Sequence, residues 1–474
     1  MISKVNSRFF LGFSMGIIIL QQVLLLIFMN GTGDDGDSVT HFLYNKFAFY
    51  DPSLFINHWG KPLFTISSAC FSQYGFIGIK VYNSIVAIIT AYFTYKLCLR
   101  LSIQNSFLSI LILMFMPEYL RCSLSGLTEI LFSCLLVISL YYTVSERYTI
   151  GCIIASFLPF SRPEGYFVIA ILFAYFIYLR KWRLLPLFLV GHLVFTGIGV
   201  CLFEENWLWV FQKNPNAELI TTYGQTGSWG HYIVGLLNIL GLPIYILFLL
   251  GLLVYLFRWK ANHFKIDNLA IIATILGFTI ISHTIFWKFG LFKSFGLMRN
   301  MLTICPLIAI LALIGLNFIL EKSTALIKSK IIVISVLLLT AFIYLYSSAK
   351  YTFQFPQAFR LNPSQVLSQE MAQYIQDSFP QRQLIYHYYP YLSILLNENP
   401  FDQRVHRNVS TSIFNEKLPK HTLVIWDDWY SVVEGKVSLN QLQNDSNFAF
   451  KKYFKTIDGA KKERSFYVFV AIGK

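Results

Sequence analysis

The sequence predicts an all-α polytopic membrane domain of about eleven transmembrane helices, followed by a small α/β domain. Of 474 residues, 55% are hydrophobic and only 13% are charged, whereas soluble domains carry about 25% charged residues. Mean hydropathy is +0.56. With 13% charged residues, a chain of this length has too few charges to cover the water-facing surface of a soluble protein. This composition also excludes disordered and nucleic-acid-binding chains, which need more charge and fewer aromatic residues.

Hydrophobic runs define the membrane domain, which we place at residues 1–347. Several of them reach the roughly 20 apolar residues that a span needs. Three short runs, at 106–117, 149–160 and 166–179, fit tilted, half-inserted or re-entrant segments. The runs are 9–29, 79–97, 106–117, 127–144, 149–160, 166–179, 184–202, 234–257, 268–287, 301–319 and 331–347.

Lysine and arginine set the orientation through the positive-inside rule. A cytoplasmic N-terminus with eleven crossings makes the inside loops strongly basic and the outside loops slightly acidic. This bias accounts for much of the net charge of +14. Arg147 and the basic cluster 180–183 must share one side, so the segment between them crosses twice or forms a re-entrant hairpin. We expect a multi-pass protein of the inner (plasma) membrane.

Residues 348–474 differ in composition and fall outside the membrane by the same parity. Strand-like runs occur at 383–388, 422–426 and 465–472, with turn signals between them. A helix is expected at about 365–378. These features predict a small periplasmic α/β domain.

Three carboxylates follow the first span within four residues: Asp34, Asp35 and Asp37. Like charges so close together repel one another unless a cation neutralises them, and unneutralised clusters of this kind are common at functional sites. A carboxylate pair suits a general base for an alcohol acceptor, and the three together could hold a divalent cation. No other cofactor is indicated. The alternative is a solvated loop with a helix N-cap at Asp37 or Ser38.

The same predicted outer loop contains His58 and Lys61. Lys61 could meet a lipid phosphate as a point charge, or it could be an ordinary snorkelling lysine. His58 could be a ligand or a proton relay, although a single histidine is more often a hydrogen-bonded structural residue.

Five more charged residues lie at predicted outer span ends. Glu129 opens a span, and Arg162 and Glu164 lie in a tight connection, where an ion pair could be catalytic or purely structural. Lys293 and Arg299 break the positive-inside trend. That exception indicates an anionic ligand, with Arg299 as a phosphate fork, unless lipid headgroups alone explain it.

Several common motifs are missing from the sequence. It contains no GxxxxGK[ST] phosphate loop, no dinucleotide fingerprint and no HExxH. Its seven cysteines include no CxxC pair, which argues against a cysteine-based zinc site. The candidate charges lie at span ends, whereas a channel or transporter would more often keep them at mid-span.

Taken in sequence order, the charged motifs at the predicted outer span ends resemble those of the GT-C superfamily of integral membrane glycosyltransferases. The nearest likeness is to the branch with protein O-mannosyltransferases and lipid A aminoarabinose transferases, over about residues 1–320. The residues that carry it are Asp34-Asp35 after the first span, Lys61-Pro62, Thr128-Glu129, Arg162-Pro163-Glu164-Gly165 and Arg299 before a proline-bearing late span.

The resemblance implies inverting transfer of a sugar, in the manner of a hexosyl- or mannosyltransferase. The donor would be a polyprenyl-phosphate-linked sugar, and the acceptor a glycan, lipid or protein on the outer face. Asp34 or Asp35 would deprotonate the acceptor, and Lys61 would meet the carrier phosphate. Glu129 would match the acid that opens the fourth span, and Arg299 would stabilise the leaving phosphate. Membrane lipid is a further expected partner, and nucleic acid is not.

Two other classes of function fit the same composition. A non-catalytic lipid or polysaccharide flippase or transporter would need a path across the membrane, with its essential charges at mid-span. A membrane scaffold would tolerate neutralisation of Asp34 and Asp35. The glycosyltransferase interpretation instead requires essential charges that converge at outer span ends.

Overall fold

A computed structural model describes residues 4–213, 226–261, 267–326, 359–457 and 462–472. It contains a helical part followed by a small sheet domain, which confirms the predicted fold class. Within the described ranges, six helices are long and apolar enough to cross a membrane. They are 8–28, 76–100, 182–203, 242–261, 268–289 and 298–323. The number of crossings stays a prediction, because the run 331–347 and the proposed boundary at 347 lie outside the described residues.

The helical part begins with a long helix and continues through several shorter ones. Two of the long spans begin with a 3-10 segment, Trp182–Leu189 and Met298–Ile304. The α-helices are α1 (Lys4–Phe28), α2 (Asp37–Phe47), α3 (Pro62–Ser72), α4 (Phe76–Arg100), α5 (Leu108–Met114), α6 (Pro117–Cys122), α7 (Glu129–Val144), α8 (Tyr148–Ser156), α9 (Leu158–Ser161), α10 (Gly165–Tyr178), α11 (Val190–Phe203), α12 (Trp209–Gln212), α13 (His231–Leu240), α14 (Leu242–Ala261), α15 (Asn268–Phe289) and α16 (Cys305–Leu326).

The run 234–257 was expected to form one span, and this expectation is wrong. The structure divides it between α13 and α14 at Gly241, whose φ of 71° and ψ of 152° are not helical. Glycine adopts a positive φ at little cost, and Pro243 lies in the first turn of α14, where a missing N–H is tolerated. The apolar composition continues through this break, so hydropathy alone does not reveal it.

The basic turns after α7 and α10 lie side by side. Residues 146–150 and 180–184 together line a cavity of about 690 Å³. Between these two turns, α8 and α9 lead the chain back to the opposite end of α7, where Arg162 contacts Glu129. This path agrees with the expectation that Arg147 and the cluster 180–183 share one side.

The C-terminal domain is a five-stranded sheet with the order β2-β1-β3-β5-β4. β1 is parallel to β2 and β3, whereas β5 is antiparallel to both β3 and β4. The strands are β1 (Ile385–Tyr386), β2 (His406–Arg407), β3 (Leu423–Asp427), β4 (Phe448–Ile457) and β5 (Glu463–Ala471). Helices of this domain are Pro363–Ser378, Pro390–Leu395, Tyr430–Val433 and Leu439–Asn444.

The predicted strands at 383–388, 422–426 and 465–472 correspond to β1, β3 and β5. The predicted helix corresponds to Pro363–Ser378, which begins with an Asn362–Gln365 capping box. No strand was predicted at β4, because this strand is rich in lysine and exposes most of its side chains. It is stabilised by its antiparallel pairing with β5, a non-local interaction that composition does not show.

Two glycines let α14 and α16 pack with their backbones in contact. A Cβ atom on Gly251 would overlap the carbonyl oxygen of Leu311, and one on Gly315 would overlap that of Leu247. Small residues allow this close approach between helices in membranes. Residues 307–313 of α16 are fully buried, so α16 is a central helix of the bundle. The close contact with α14 fixes its position.

We predict that Gly315→Ala lowers the stability of the protein. The added methyl group forces α14 and α16 apart, and overpacking of this kind costs about 1–3 kcal/mol. Gly277→Ala in α15 is the matched control, because a Cβ there meets nothing within 4 Å. It should leave the protein equally or more stable, by up to about 1 kcal/mol. Thermal unfolding in detergent measures both, and equal midpoints for the two variants would contradict the close packing.

Candidate functional site

The acidic loop connects α1 to α2, and Asp34 faces the helical part of the protein. Its Oδ1 accepts hydrogen bonds from the backbone N–H groups of Gly36 (3.1 Å) and Ser38 (2.8 Å). Its Oδ2 accepts from Nη1 of Arg299 at 2.5 Å. Asp34 therefore stabilises the beginning of α2 and pairs with a distant arginine at the same time. The N-cap that the sequence suggested at Asp37 or Ser38 is wrong, because the side chain of Asp34 supplies this hydrogen bond.

Arg299 is the residue on which three carboxylates converge. It lies in the 3-10 turn Met298–Ile304, directly before α16. Besides Asp34, its Nη2 forms a close ion pair with Asp37. Its Nε lies 3.3 Å from Oε1 of Glu129. The guanidinium thus links the acidic loop to the beginning of α7.

Glu129 is the first residue of α7, and only 1% of it is exposed. Its Oε1 also lies 2.8 Å from Nη1 of Arg162, so one carboxylate contacts two guanidiniums. Arg162 in turn donates to Oε1 of Glu164 (2.9 Å) and to Oδ1 of Asn300 (2.9 Å). A continuous charged network therefore runs from the acidic loop to the connection between α9 and α10.

Glu164 ends the network next to His283 of α15, whose Nε2 is 3.7 Å away. Burial raises the pKa of Glu164, but attraction to Arg162 and His283 outweighs this effect, and the net pKa is about 2. A lowered pKa means that the ion pair stabilises the fold above the ordinary pKa of 4.5, and that this stability is lost as the pH falls toward 2. Glu164 is therefore charged at neutral pH.

Lys61 lies beside this network and is half-buried at the beginning of α3. Its Nζ donates to the backbone carbonyl of His58 at 3.2 Å. Burial, together with repulsion from Arg162, lowers the pKa of Lys61 to about 8, although Glu164 and Glu129 oppose the shift. Lys61 is therefore mostly protonated at neutral pH, and it loses its charge as the pH rises through about 8.

His58 does not join the charged network. Its ring packs edge-on against Trp209 of α12, with centroids 5.1 Å apart. Burial and repulsion from Lys61 and Lys213 lower its pKa to about 4, so the ring is neutral. The structure thus places His58 as the residue whose backbone carbonyl receives the Lys61 ammonium.

Asp35 faces away from Arg299, toward the C-terminal domain. Its Oδ2 accepts a hydrogen bond from Oη of Tyr389 at 3.3 Å. Burial raises the pKa of Asp35; a hydrogen bond with Asn362 acts in the opposite direction, and repulsion from Asp34 adds to the rise. The two adjacent aspartates therefore have different surroundings and cannot act as one pair.

The three aspartates that the sequence suggested for a divalent cation do not form a common site. Asp34 and Asp37 bind Arg299, and Asp35 points elsewhere. Across the described parts of the chain, no group of three His, Cys, Asp or Glu side chains is placed to hold a metal ion. The side chain of Lys293 lies outside the described residues, and its backbone belongs to a short turn, Leu291–Lys293.

Sequence reasoning missed several residues that contact this site. Asn300 binds Arg162, and the buried His41 lies near both Lys61 and Arg162. Arg121 donates to the carbonyl of Gly33 and supports the acidic loop. His41 follows Asp37 by four residues, a spacing that places both on one face of α2. Tyr389 gave no signal, because it lies in the distant C-terminal domain.

With this geometry established, comparison with known proteins identifies the fold. No protein-family model and no curated protein matches the sequence. Apo ArnT from Cupriavidus metallidurans is similar in structure, with a TM-score of 0.64 at 11% identity over 98% of each chain. ArnT bound to undecaprenyl phosphate gives 0.61 at 10% identity, over 96% of this chain and 97% of that one. The apo oligosaccharyltransferase of Archaeoglobus fulgidus gives 0.54 at 11% identity, over 90% of this chain and 70% of that one.

The chain shares the fold of these proteins, which are GT-C superfamily members. The resemblance found in the sequence is therefore confirmed at the level of fold. Within this GT-C fold, the charged network joins the ends of elements that are far apart in sequence: the loop after α1, the beginning of α7 and the turn before α16. It also reaches the connection before α10.

We predict that Arg162→Met strongly destabilises the protein. It leaves the buried carboxylates of Glu129 and Glu164 without their shared cation, and loss of one partner of a buried ion pair costs about 3–5 kcal/mol. Arg407→Met is the matched control, because Arg407 forms a partly exposed pair with Glu416 on the C-terminal domain. That change should have little effect. Thermal unfolding in detergent compares the two variants. Similar decreases in their unfolding midpoints would show that the buried network contributes no more stability than a partly exposed ion pair.

Proposed function

We propose that the protein is an inverting glycosyltransferase that uses a polyprenyl-phosphate-linked sugar. The acceptor would be a glycan, lipid or protein on the outer face of the inner membrane. The observation that carries the proposal is the convergence of Asp34, Glu129, Arg162 and Arg299 in one network at helix ends, beside Lys61. The GT-C fold supports it, as does the ArnT complex with undecaprenyl phosphate, a lipid phosphate of the class that the donor would carry.

In this proposal, Asp34 is the general base. The base must lie within hydrogen-bond reach of the acceptor hydroxyl, which attacks the anomeric carbon from the face opposite the leaving phosphate. That carbon lies next to the cations that hold the phosphate. Asp34 contacts Arg299 directly, whereas Asp35 faces the C-terminal domain. The acceptor hydroxyl gives its proton to Asp34 as its oxygen bonds to the anomeric carbon. The bond from that carbon to the phosphate oxygen breaks, and its electron pair stays on the phosphate.

Lys61 and Arg299 would hold the carrier phosphate. Lys61 and Arg162 are like charges that repel each other, and an anionic phosphate near both would relieve this repulsion. Arg299 can present a planar guanidinium to a phosphate once Asp34 or Asp37 releases it. Stabilising the leaving group in this way is the electrostatic part of the catalysis.

Glu129 and Glu164 would position the cations rather than react. Glu129 is buried between Arg162 and Arg299, and Glu164 holds Arg162 from the other side. Such contacts limit the rotamers of the arginines before the substrate arrives, which lowers the cost of ordering them on binding. The branch that the sequence resembles, with protein O-mannosyltransferases and lipid A aminoarabinose transferases, favours a transferase of the hexosyl- or mannosyltransferase type.

We predict that Asp34→Asn abolishes most of the transfer. Loss of a general base should lower kcat by about 10²- to 10⁴-fold. The assay measures label released from a panel of radiolabelled polyprenyl-phosphate sugars by purified protein in detergent, with a membrane lysate as the acceptor source. Asp51→Asn is the control, because Asp51 caps the turn Pro52–Ile56 through its side chain and asparagine caps equally well.

The same assay separates the proposal from its rivals. Equal donor consumption by the parent and Asp34→Asn would show that this carboxylate is not the base. Movement of intact labelled donor across liposomes by the parent, without release of sugar, would instead identify a flippase. Reconstituted protein and scintillation counting of both compartments distinguish the two results.

We also predict that the donor KM rises above pH 8. Lys61 has a pKa of about 8, so it loses the charge that binds phosphate as the pH increases. The charged fraction, and with it donor affinity, should fall about tenfold between pH 7 and pH 9. Lys61→Arg should flatten this dependence, because a guanidinium stays protonated throughout the range. Lys96→Arg, remote from the site, should keep the parental slope, and an equally steep slope in Lys61→Arg would exclude Lys61 as the titrating group.

A further inference from the structure

Residues 30–32 of the acidic loop are hydrogen-bonded to the segment that leads into the C-terminal domain. The N–H of Gly31 donates to the carbonyl of Phe359 at 2.6 Å. A Cβ on Gly31 would lie 2.5 Å from that carbonyl, so only glycine permits this approach. Nε2 of Gln365 donates to Oγ1 of Thr32 at 2.7 Å, and this contact is buried. The beginning of the loop is therefore fixed by the C-terminal chain.

Two tyrosines of the C-terminal domain hold the next part of the loop. Tyr389 donates to Asp35, and the hydroxyl of Tyr430 would lie only 2.7 Å from a Cβ on Gly36. Tyr389 is 3% exposed, and its ring packs against Tyr430 (5.9 Å between centroids) and against Phe466 of β5 (5.1 Å). Because these rings are packed against the sheet, they form a rigid surface for the loop.

The opposite side of the loop is held by the helical part. The hydroxyl of Ser38 donates to the carbonyl of Thr32 at 2.5 Å and accepts from the N–H of Gly126 at 2.7 Å. Arg121 donates to the carbonyl of Gly33. The loop thus lies between two surfaces, and the side chains of Asp34 and Asp35 point to different ones.

We propose that the C-terminal domain is part of the catalytic machinery, with Tyr389 and Asp35 as positioning residues that fix the loop and so place Asp34. This inference rests on the proposed function, in which Asp34 is the base. Asp35 serves as an anchor: its carboxylate accepts a hydrogen bond from Tyr389, whereas Arg299 pairs with Asp34 and Asp37. An anchor of this kind needs an oxygen that accepts hydrogen bonds, and it does not need a negative charge.

This role makes the substitutions at Asp35 diagnostic. In Asp35→Asn, the amide oxygen can still accept from Tyr389, so transfer should stay within about fivefold of the parent. In Asp35→Ala and Tyr389→Phe, the anchor is lost and Asp34 moves. Misplacement of a catalytic group by about 1 Å costs about 10²-fold, so we expect kcat to fall about tenfold to 10²-fold. The donor KM should stay within about twofold, because the groups proposed to hold phosphate are untouched.

The experiment combines steady-state kinetics with hydrogen–deuterium exchange of the full-length protein in detergent. Tyr389→Phe should increase exchange in the peptide that covers residues 29–38. Tyr453→Phe is the matched control: Tyr453 is exposed on β4 and packs beside Tyr467, so both kinetics and exchange should equal those of the parent. Because a loss of folded protein would also lower the apparent kcat at constant KM, kcat is normalised to the folded fraction of each preparation. A lower normalised kcat, together with increased exchange confined to residues 29–38, is the signature of positioning.

Three results would overturn the inference. These are unchanged loop exchange in Tyr389→Phe, unchanged kcat in that variant, or loss of transfer in Asp35→Asn as complete as in Asp34→Asn. The exchange measurement does not depend on sugar transfer. A parent that consumes no donor would refute the proposed function, whereas the exchange of Tyr389→Phe against Tyr453→Phe would still decide whether the C-terminal domain fixes the loop.

Discussion

One buried carboxylate, that of Glu129, holds the two guanidiniums on which the site depends. A charge removed from water is costly unless it is paired, and Glu129 is paired with both Arg162 and Arg299. These three residues begin or precede separate helices, so their pairing brings the starts of α7, α10 and α16 to one place. Apolar packing, including the close contact of α14 with α16, holds the rest of the bundle. Electrostatics therefore sets the geometry at the end of the bundle, and burial of apolar surface sets it elsewhere.

In the proposed function, the same network keeps the two arginines paired and largely buried until an anionic substrate binds. Arg299 is neutralised by Asp34 and Asp37, and Arg162 by Glu129 and Glu164. A lipid phosphate that binds Arg299 must exchange with one of these carboxylates. Exchange of one anion for another is less costly than desolvating a free arginine, because the guanidinium has already left water. In the proposed mechanism, exchange at Asp34 would also free this carboxylate to accept a proton, so donor binding and activation of the base would be linked.

Much of the site could be predicted from sequence, because ionisable residues at the ends of apolar runs are rare and each one stands out. Asp34, Glu129, Arg162, Glu164 and Arg299 were all found in this way, and the structure brings them together. The different surroundings of Asp34 and Asp35 could not be predicted, since in an irregular loop the direction of a side chain depends on tertiary contacts. Tyr389, which is far away in sequence, and Asn300, an uncharged neighbour of Arg299, also gave no signal, because ordinary polar residues acquire such a role only through the fold. The break at Gly241 did carry a local signal, the Gly-Leu-Pro sequence. Hydropathy does not detect it, because these three residues lie within a continuous apolar run.

The irregular backbone of the acidic loop gives a physical reason for the attached sheet domain. Between α1 and α2 the chain has no ladder of backbone hydrogen bonds to fix it, and like charges at Asp34, Asp35 and Asp37 oppose its compact shape. Such a segment keeps one conformation only if neighbours on both sides determine it. Arg299 and the helical part provide one side, and Tyr389 with the chain near Phe359 provides the other. A catalytic group must be held to a fraction of an ångström, and a loop fixed from one side alone keeps its freedom to move away. The two parts of the chain are therefore coupled at the residue proposed to perform the chemistry.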